Sequence, residues 1–237
     1  MTDFAELVAA TNFSFLDGAS HPADMVAQAV ALGLTGLGIA DRNTVAGVVR
    51  AHAALKKARL GLLGQRMPPV AFRLVVGARI VFADGTPDVV AYPATRTGWG
   101  QLTRLLTLGN RRATKGGCLL GIDDLVDHAR DLLLIALPTS SARAAMPVDH
   151  GLPPPHRADA SLPATLAILT RAAPGAVWLG VTMPRAGRDR RQLAGLAAIA
   201  DAAGVPLLAT ADALYADSEA RPLHDIVTCI REGLTIQ

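Results

Sequence analysis

The amino-acid sequence predicts an α/β fold in which strands and helices alternate around a largely parallel sheet. Short runs rich in Val, Ile and Leu recur along the 237 residues, and longer stretches with apolar residues at helical spacing separate most of them. Seven such strands could form an open, doubly wound sheet or an irregular barrel. The barrel is favoured, because no Gly-x-Gly-x-x-Gly follows a strand and no Gly-x-x-x-x-Gly-Lys-Ser/Thr occurs.

The strands are predicted from these runs of aliphatic residues. They cover residues 6–10, 36–40, 73–82, 88–92, 132–137, 177–182 and 206–210. A helical pattern joins most neighbouring strands, which is typical of βαβ units and parallel pairing. The third and fourth strands are the exception, because only the short segment ADGTPD joins them, and its Asp84-Gly85 pair predicts a tight, hairpin-like turn.

The helices are predicted from apolar spacing together with start and stop residues. The first begins near Pro22 and stops at Gly33, the usual placement of these two residue types at helix ends. Further helical patterns are TVAGVVRAHAALKKARLG, DRRQLAGLAAIADAAG and RPLHDIVTCIREG. Residues 139–163 are rich in proline and have no usable period, so they predict a long surface loop between a strand and the next helix.

The composition excludes several classes of protein. With 51% hydrophobic and 18% charged residues, the chain is not disordered over most of its length. Its longest apolar runs fall far short of the roughly 20 residues that a membrane-spanning helix needs. The first residues lack the basic and apolar regions of a signal peptide, so we expect a cytoplasmic protein without a membrane partner. Cys118 and Cys229 lie far apart without metal-ligand spacing, which predicts two reduced thiols.

The residues at the strand ends decide which chemistry is possible, because parallel β/α folds place their active sites there. These ends carry two acids and two arginines, Asp41, Asp212, Arg42 and Arg79, whereas all six histidines fall in helices or loops. A hydrolytic metal site needs several imidazole or carboxylate ligands at one point, so the residues predict none. The chain also lacks a Gly-x-Ser-x-Gly motif, and the isolated His21 is interpreted as structural.

One basic cluster lies where a helix should run out into a Gly-rich loop, in RLLTLGNRRATKGG. It contains Arg104, Arg111, Arg112 and Lys115. The formal net charge of +3 is compatible with a nucleic-acid partner but does not require one. Two interpretations stay open: the cations are stabilised by the dipole at the helix C-terminus, or Arg111, Arg112 and Lys115 contact DNA phosphates.

Several segments carry a resemblance to a known family. The stretch FAELVAATNFSFLDGASHPADMVAQAVALGLTGLGIADRNTVAGVVRAH resembles the opening of bacterial error-prone DNA polymerases related to the DNA polymerase III alpha subunit. The likeness continues in order through VVGARIVF, GWGQLTRLLTLGNRRATKGG, LLATADALY and RPLHDIVTCIREGLTI. That region of the family is the PHP (polymerase and histidinol phosphatase) domain. The resemblance implies a distorted seven-stranded, TIM-like β/α barrel, with residues 1–237 forming one domain at the N-terminus of a longer polymerase.

The resemblance also implies that the metal site of the family is degenerate here. The metal-binding version carries histidines, a glutamate and a cysteine at positions that this chain fills differently. Val8, Ala10, Arg42, Arg79 and Leu214 stand where the family has ligands, whereas Asp41 and Asp212 are retained. We therefore expect no bound metal and no catalytic residue in this chain. Arg42 and Arg79 bring positive charge to former ligand positions, so we expect Asp41 and Asp212 to lie near one another with at least one arginine beside them.

Three functions are compared on this basis. The resemblance favours a structural and interaction domain of an error-prone translesion DNA polymerase. The alternatives are a metal-dependent phosphoesterase or 3'-5' exonuclease, and an unrelated small-molecule barrel enzyme. The parent protein would be a nucleotidyltransferase that copies damaged DNA with dNTPs and magnesium, in DNA replication, repair and damage-induced mutagenesis. The implied partners are DNA, the remainder of the polymerase chain, the sliding clamp and accessory mutagenesis proteins.

Overall fold

The computed structural model describes residues 4–61, 71–138 and 161–236, in which strands and helices alternate. The strands are β1 (Ala5–Ala9), β2 (Gly36–Arg42), β3 (Arg73–Ile80), β4 (Val89–Pro93), β5 (Leu132–Ala136), β6 (Val177–Val181) and β7 (Leu207–Ala209). The helices are α1 (Pro22–Ala31), α2 (Val48–Arg59), α3 (Arg96–Arg112), α4 (Ile122–Asp127), α5 (Leu162–Ala172), α6 (Asp189–Ala203) and α7 (Arg221–Glu232), with a 3-10 helix at Ser218–Ala220 before α7. All seven predicted strands are confirmed, each within two residues of its expected bounds.

The strands form one sheet in which their order follows the chain, from β1 to β7. The pairs β1–β2, β5–β6 and β6–β7 are parallel, as the alternation of strands and helices predicts. The pair β4–β5 is antiparallel, with Val89 opposite Ala136. The chain enters β4 through a short turn rather than a crossover helix, and Gly85 in that turn has a φ of +84°, which favours glycine. The α/β class with a largely parallel sheet is confirmed.

The helix ends agree with the start and stop residues of the sequence. Pro22 lies in the first turn of α1, and Gly33 follows the helix with a φ of +72°. The predicted loop over residues 139–163 is too long at its end, because α5 already begins at Leu162. The Ser161 side chain accepts a hydrogen bond from the backbone N–H of Ala164, and the proline that follows Leu162 fits the first helical turn. The rest of that predicted loop lies outside the described residues.

The chain divides into two compact units, and each is described by itself. The first unit comprises Met1–Ala78 and Thr210–Gln237. In it, α1 packs against α2 and β2. The buried residues of this core come from β1, β2, α1 and α2 and from the residue before β3; they are Ala9, Met25, Val26, Ala29, Val30, Leu37, Ile39, Ala51, Ala54, Leu55 and Phe72. The one-domain organisation expected from the sequence stays a prediction.

The second unit comprises Arg79–Ala209. In it, α3 packs against β4 and β5, and Leu102 and Leu105 on its inner face are fully buried. Gly98 allows α3 to approach the start of β5 closely, because a Cβ there would overlap the backbone carbonyl oxygen of Asp131. None of the helices within residues 4–61, 71–138 and 161–236 is long and apolar enough to cross a membrane.

Candidate functional site

The carboxyl ends of β1 and β2 bring the first predicted site residues together. Val8 and Ala10, which stand at the ligand positions implied by the resemblance, are buried apolar side chains. Asp41, near the end of β2, is 1% exposed. The first unit therefore has a carboxylate at the predicted strand end, but hydrocarbon side chains at the two predicted positions on the neighbouring strand.

Asp41 is held by a short turn that follows β1. Its Oδ1 accepts hydrogen bonds from the backbone N–H of Thr11 at 2.6 Å and from the Ser14 hydroxyl at 2.9 Å. Its Oδ2 accepts from the Thr11 hydroxyl at 2.9 Å. The backbone of Gly47, just before α2, closes the remaining side, since a Cβ there would lie 2.6 Å from Oδ2. Asp41 thus fixes the turn after β1 to the end of β2.

The surroundings of Asp41 raise its pKa above the ordinary value. Desolvation by burial is the largest cause. The hydrogen bonds from Thr11 and Ser14 lower the pKa in part, and the nearby carboxylate of Asp17 raises it further.

Glu6 forms a second buried carboxylate in the same unit, and the sequence analysis missed it. It is 3% exposed, and its Oε1 accepts from the backbone N–H of Val8 and from the Thr210 hydroxyl. Its Oε2 accepts from the backbone N–H of Ala211 at 2.6 Å. Glu6 thereby ties β1 to the chain after β7. Its place on the same face of β1 as Val8 and Ala10, at a spacing of two residues, is the sequence signal that could have identified it.

The segment around Asp212 lies at the same end of β1 as Asp41. The backbone N–H of Ala10 donates to the carbonyl of Ala213 at 2.9 Å, and that of Ala19 donates to the carbonyl of Leu214 at 2.8 Å. Asp212 itself has a φ of +50°, and its N–H donates to the Thr210 hydroxyl at 3.1 Å. The backbone next to Asp212 therefore contacts the residues that follow β1, and the proximity of Asp41 and Asp212 stays a prediction.

A third buried carboxylate, Asp17, anchors α7. Nη1 of Arg231 lies 3.1 Å from Oδ1 of Asp17 and 3.2 Å from the carbonyl oxygen of Leu16. The two side chains are 2% and 9% exposed, for Asp17 and Arg231 respectively. No sequence pattern links Asp17 with Arg231, because 214 residues separate them.

The sequence predicts an arginine beside at least one of Asp41 and Asp212, and the hydrogen-bond partners of Asp41 are other residues. Within the described part of the chain, Asp41 is hydrogen-bonded by Thr11 and Ser14, and the backbone N–H of Arg42 donates to the Ser14 hydroxyl at 3.0 Å. Neutral donors satisfy this carboxylate instead of a cation. Arg79 belongs to the second unit, where its Nε donates to Oδ2 of Asp88 at 2.7 Å and its side chain is 6% exposed. An arginine beside Asp212 stays a prediction.

The donor set of this site does not fit a divalent metal ion. Val8 and Ala10 have no donor atoms, and both oxygens of Asp41 already accept hydrogen bonds. Among residues 4–61, 71–138 and 161–236, no group of three His, Cys, Asp or Glu side chains could hold a metal ion. His21, interpreted as structural, accepts at Nδ1 from the side-chain amide of Asn12 at 3.0 Å.

The basic cluster of the sequence does not form one surface. Arg112 is engaged with Asp124, with 2.7 Å between Nη1 and Oδ2. Arg104 and Arg111 instead line a cavity beside α3, together with His128. Lys115 is exposed in the turn after α3. Contact of Arg111, Arg112 and Lys115 with DNA stays a prediction, and the ion pair of Arg112 reduces its availability for it.

Comparison with known proteins identifies the family. A family model described as the PHP domain matches residues 6–148. The chain belongs to the PHP domain family. It is 45% identical over all 237 residues to an error-prone DNA polymerase of Brucella abortus biovar 1 (strain 9-941), and 48% identical over 233 residues to error-prone DNA polymerase 1 of Rhizobium meliloti (strain 1021). The chain spans about a fifth of the length of these relatives, 20% and 18% respectively. The resemblance stated from the sequence is confirmed.

Two solved structures share the fold of this PHP chain at 15% sequence identity. One is a protein from Bifidobacterium adolescentis assigned as a metal-dependent phosphoesterase, with a TM-score of 0.53 over 96% of this chain and 97% of the other. The second is an amidohydrolase from Chromobacterium violaceum with bound sulfate and no metal, with a TM-score of 0.54 over 91% of this chain and 89% of the other. At this identity the likeness concerns the fold alone.

Proposed function

We propose that this chain is the PHP domain of an error-prone translesion DNA polymerase and acts there as a structural and interaction module with a degenerate metal site. The observation that carries the proposal is the environment of Asp41. Its two oxygens accept hydrogen bonds from the Thr11 N–H and from the hydroxyls of Thr11 and Ser14, and the neighbouring strand offers Val8 and Ala10 instead of ligands. A carboxylate used in this way stabilises the turn after β1, and each of its oxygens already accepts a hydrogen bond. The seven strands in chain order support the distorted barrel expected for the family.

The exposed face of α7 supports the interaction role. Leu223, Ile226 and Ile230 follow one another at helical spacing and are 50%, 45% and 60% exposed. Leu234 and Ile236 continue the apolar residues beyond the helix. Exposed apolar patches on monomeric proteins mark interaction sites. We infer that this face packs against the remainder of the polymerase chain.

The activity of the whole polymerase is part of the same proposal. The relatives are named error-prone DNA polymerases and are about five times as long as this chain. The parent would copy damaged DNA with dNTPs and magnesium at carboxylates outside residues 1–237, in the cytoplasm, during replication and repair. DNA, the sliding clamp and accessory mutagenesis proteins would be its partners.

A metal-dependent phosphoesterase or exonuclease is the second candidate, favoured only by the fold of the two solved structures. Measuring the metal content and the hydrolytic activity of the same sample distinguishes the structural module from the metal-dependent enzyme. We expect the purified chain to contain substoichiometric zinc, manganese and iron. We also expect no hydrolysis of a chromogenic phosphodiester and no release of nucleotides from the 3' end of labelled DNA above the level measured in the presence of a chelator. Asp41→Asn serves as the matched variant, because it removes the charge of the buried acid at the end of β2. Stoichiometric metal, or chelator-sensitive hydrolysis that Asp41→Asn abolishes, would contradict the degenerate site.

The interaction role predicts a difference between the 237-residue chain and the full-length polymerase. Ile226→Asp and Ile230→Asp should change the thermal midpoint of the short chain little, because both side chains already face solvent. In the full-length protein the same changes should lower the midpoint and speed proteolytic release of the domain, because a charge would be buried in the contact. Val49→Asp on α2, at a side chain that is 75% exposed, is the control. Equal behaviour of all three variants in the full-length protein would refute the contact.

A further inference from the structure

We propose that the cavity beside α3 in the second unit is a binding site for phosphate groups. It has a volume of about 390 Å³ and is lined by Thr103, Arg104, Thr107, Leu108, Arg111 and His128. It is a groove open to solvent, in which Arg104 and Arg111 are exposed. The proposal concerns a site distinct from Asp41 and is independent of the structural role proposed above.

The two arginines of the cavity are placed to act on one ligand. Arg104 and Arg111 are seven residues apart on α3, which puts them on the same face about 10 Å apart along the helix axis. Within the described ranges of the chain, neither side chain has a hydrogen-bond or ion-pair partner. Arg112, one residue further on, faces elsewhere and is engaged by Asp124. The cavity thus brings two guanidinium groups of α3 to one place.

The helix dipole does not account for both arginines. Its effect is confined to the last turn, where Arg111 and Arg112 lie. Arg104 lies eight residues before the end of α3 at Arg112, so no favourable dipole position explains its charge. Planar guanidinium groups bind phosphate oxygens through paired hydrogen bonds, and they repel metal cations. An anion is therefore the ligand class that fits.

The other lining groups are consistent with an anion bound through the arginines. Nδ1 of His128 lies 2.8 Å from the carbonyl oxygen of Asp124, and because a carbonyl can only accept, Nδ1 is the donor. Nε2 is not used by that bond. The hydroxyls of Thr103 and Thr107 donate to backbone carbonyls of α3. The acidic residues of α4, Asp123, Asp124 and Asp127, are not among the residues that line the cavity.

Phosphate groups could come from the backbone of DNA or from a nucleotide, and a binding experiment distinguishes these sources. Fluorescence anisotropy of a labelled single-stranded oligonucleotide, titrated with the 237-residue chain at several salt concentrations, measures affinity and its salt dependence. The test variant is the double Arg104→Ala/Arg111→Ala. The control is the double Arg112→Ala/Lys115→Ala, which removes the same charge from the same segment but from outside the cavity. Thermal unfolding of each variant verifies that the fold is retained.

We expect the cavity variant to bind at least tenfold more weakly at moderate salt. The slope of log affinity against log salt should fall by about 1.4, which is about 0.7 for each lost contact to single-stranded DNA. The control variant should keep most of the affinity and slope. Displacement of the oligonucleotide by dATP assigns the site to a nucleotide, and resistance to dATP assigns it to the DNA backbone; both support a phosphate site. Absence of binding by the unmodified chain to either ligand, or an equal loss in the control variant, would overturn the proposal.

Discussion

Replacing Asp41 by Ala is expected to lower the free energy of unfolding by about 2–4 kcal/mol, because buried donors lose their acceptor. The substitution leaves the Thr11 N–H and the hydroxyls of Thr11 and Ser14 without the carboxylate that they share. Asp41→Asn should instead be near neutral or stabilising at neutral pH. An amide oxygen can keep the bonds from the Thr11 N–H and Ser14, and the amide nitrogen can donate to the Thr11 hydroxyl oxygen. Denaturant unfolding of the three proteins measures the difference.

The pH dependence of this pair of variants follows from the raised pKa of Asp41. In the folded chain the carboxyl holds its proton more tightly than in the unfolded chain, where its pKa is near 3.8. The folded state therefore binds more protons between the two pKa values, and its stability falls as the pH rises through that window. The Asn variant has no such titration. Its stability relative to the unmodified chain should increase with pH until the native pKa is passed, and should then stay level.

Strong destabilisation by Asp41→Asn at neutral pH would indicate that Asp41 binds a metal ion. A carboxylate that binds a metal ion is stabilised in its charged form, so Asp41→Asn would then destabilise the chain most at neutral pH. A loss of more than about 2 kcal/mol in the Asn variant, approaching that of Asp41→Ala, would contradict the hydrogen-bonded turn. The comparison thus tests the degenerate site by stability alone, without an activity assay.

The sequence predicted the strands well and the partners of the site residues poorly, for physical reasons. Strands such as β2 and β6 are nearly continuous apolar runs, and burial on both faces of a sheet requires that pattern. The position of Asp41 follows directly from where β2 ends. Its partners could not be predicted, because the turn after β1 brings Thr11 and Ser14 onto a residue about 30 positions away, with sequence separations of 30 and 27.

The basic cluster illustrates the same limit on a helix. Arg111 and Arg112 are neighbours in sequence, but successive residues of an α-helix point about 100° apart. One therefore lines the cavity and the other bonds to Asp124. Arg104 joins Arg111 because seven residues make almost two whole turns. Counting the charged residues of a segment does not show which face of the helix each one occupies. Placing the residues of α3 on a helix with 3.6 residues per turn groups Arg104 with Arg111 and separates both from Arg112.

Arg231→Ala is expected to cost about 3–5 kcal/mol of unfolding free energy, because it removes the cation beside a buried carboxylate. Asp17 is 2% exposed and lies 3.1 Å from Arg231. Arg231 also bonds to the carbonyl of Leu16, so the substitution loses a second contact between α7 and the loop after β1. Arg221→Ala on the same helix is the matched control. Its pair with Asp225 is 3.8 Å long with side chains 70% and 54% exposed, and such surface pairs contribute about 0–1 kcal/mol.

The double variant Arg231→Ala/Asp17→Asn separates the charge from the packing of α7. If the lost stability comes from removing the Arg231 charge beside the Asp17 carboxylate, neutralising Asp17 should restore a substantial part of that stability. Urea unfolding of the two single variants, the double variant and the Arg221→Ala control gives the coupling energy. A cost for Arg231→Ala no larger than that for Arg221→Ala would show that α7 is not held by this pair. The orientation of its apolar face would then need another anchor, because Arg231 fixes the inner side of the helix and leaves Leu223, Ile226 and Ile230 facing outward.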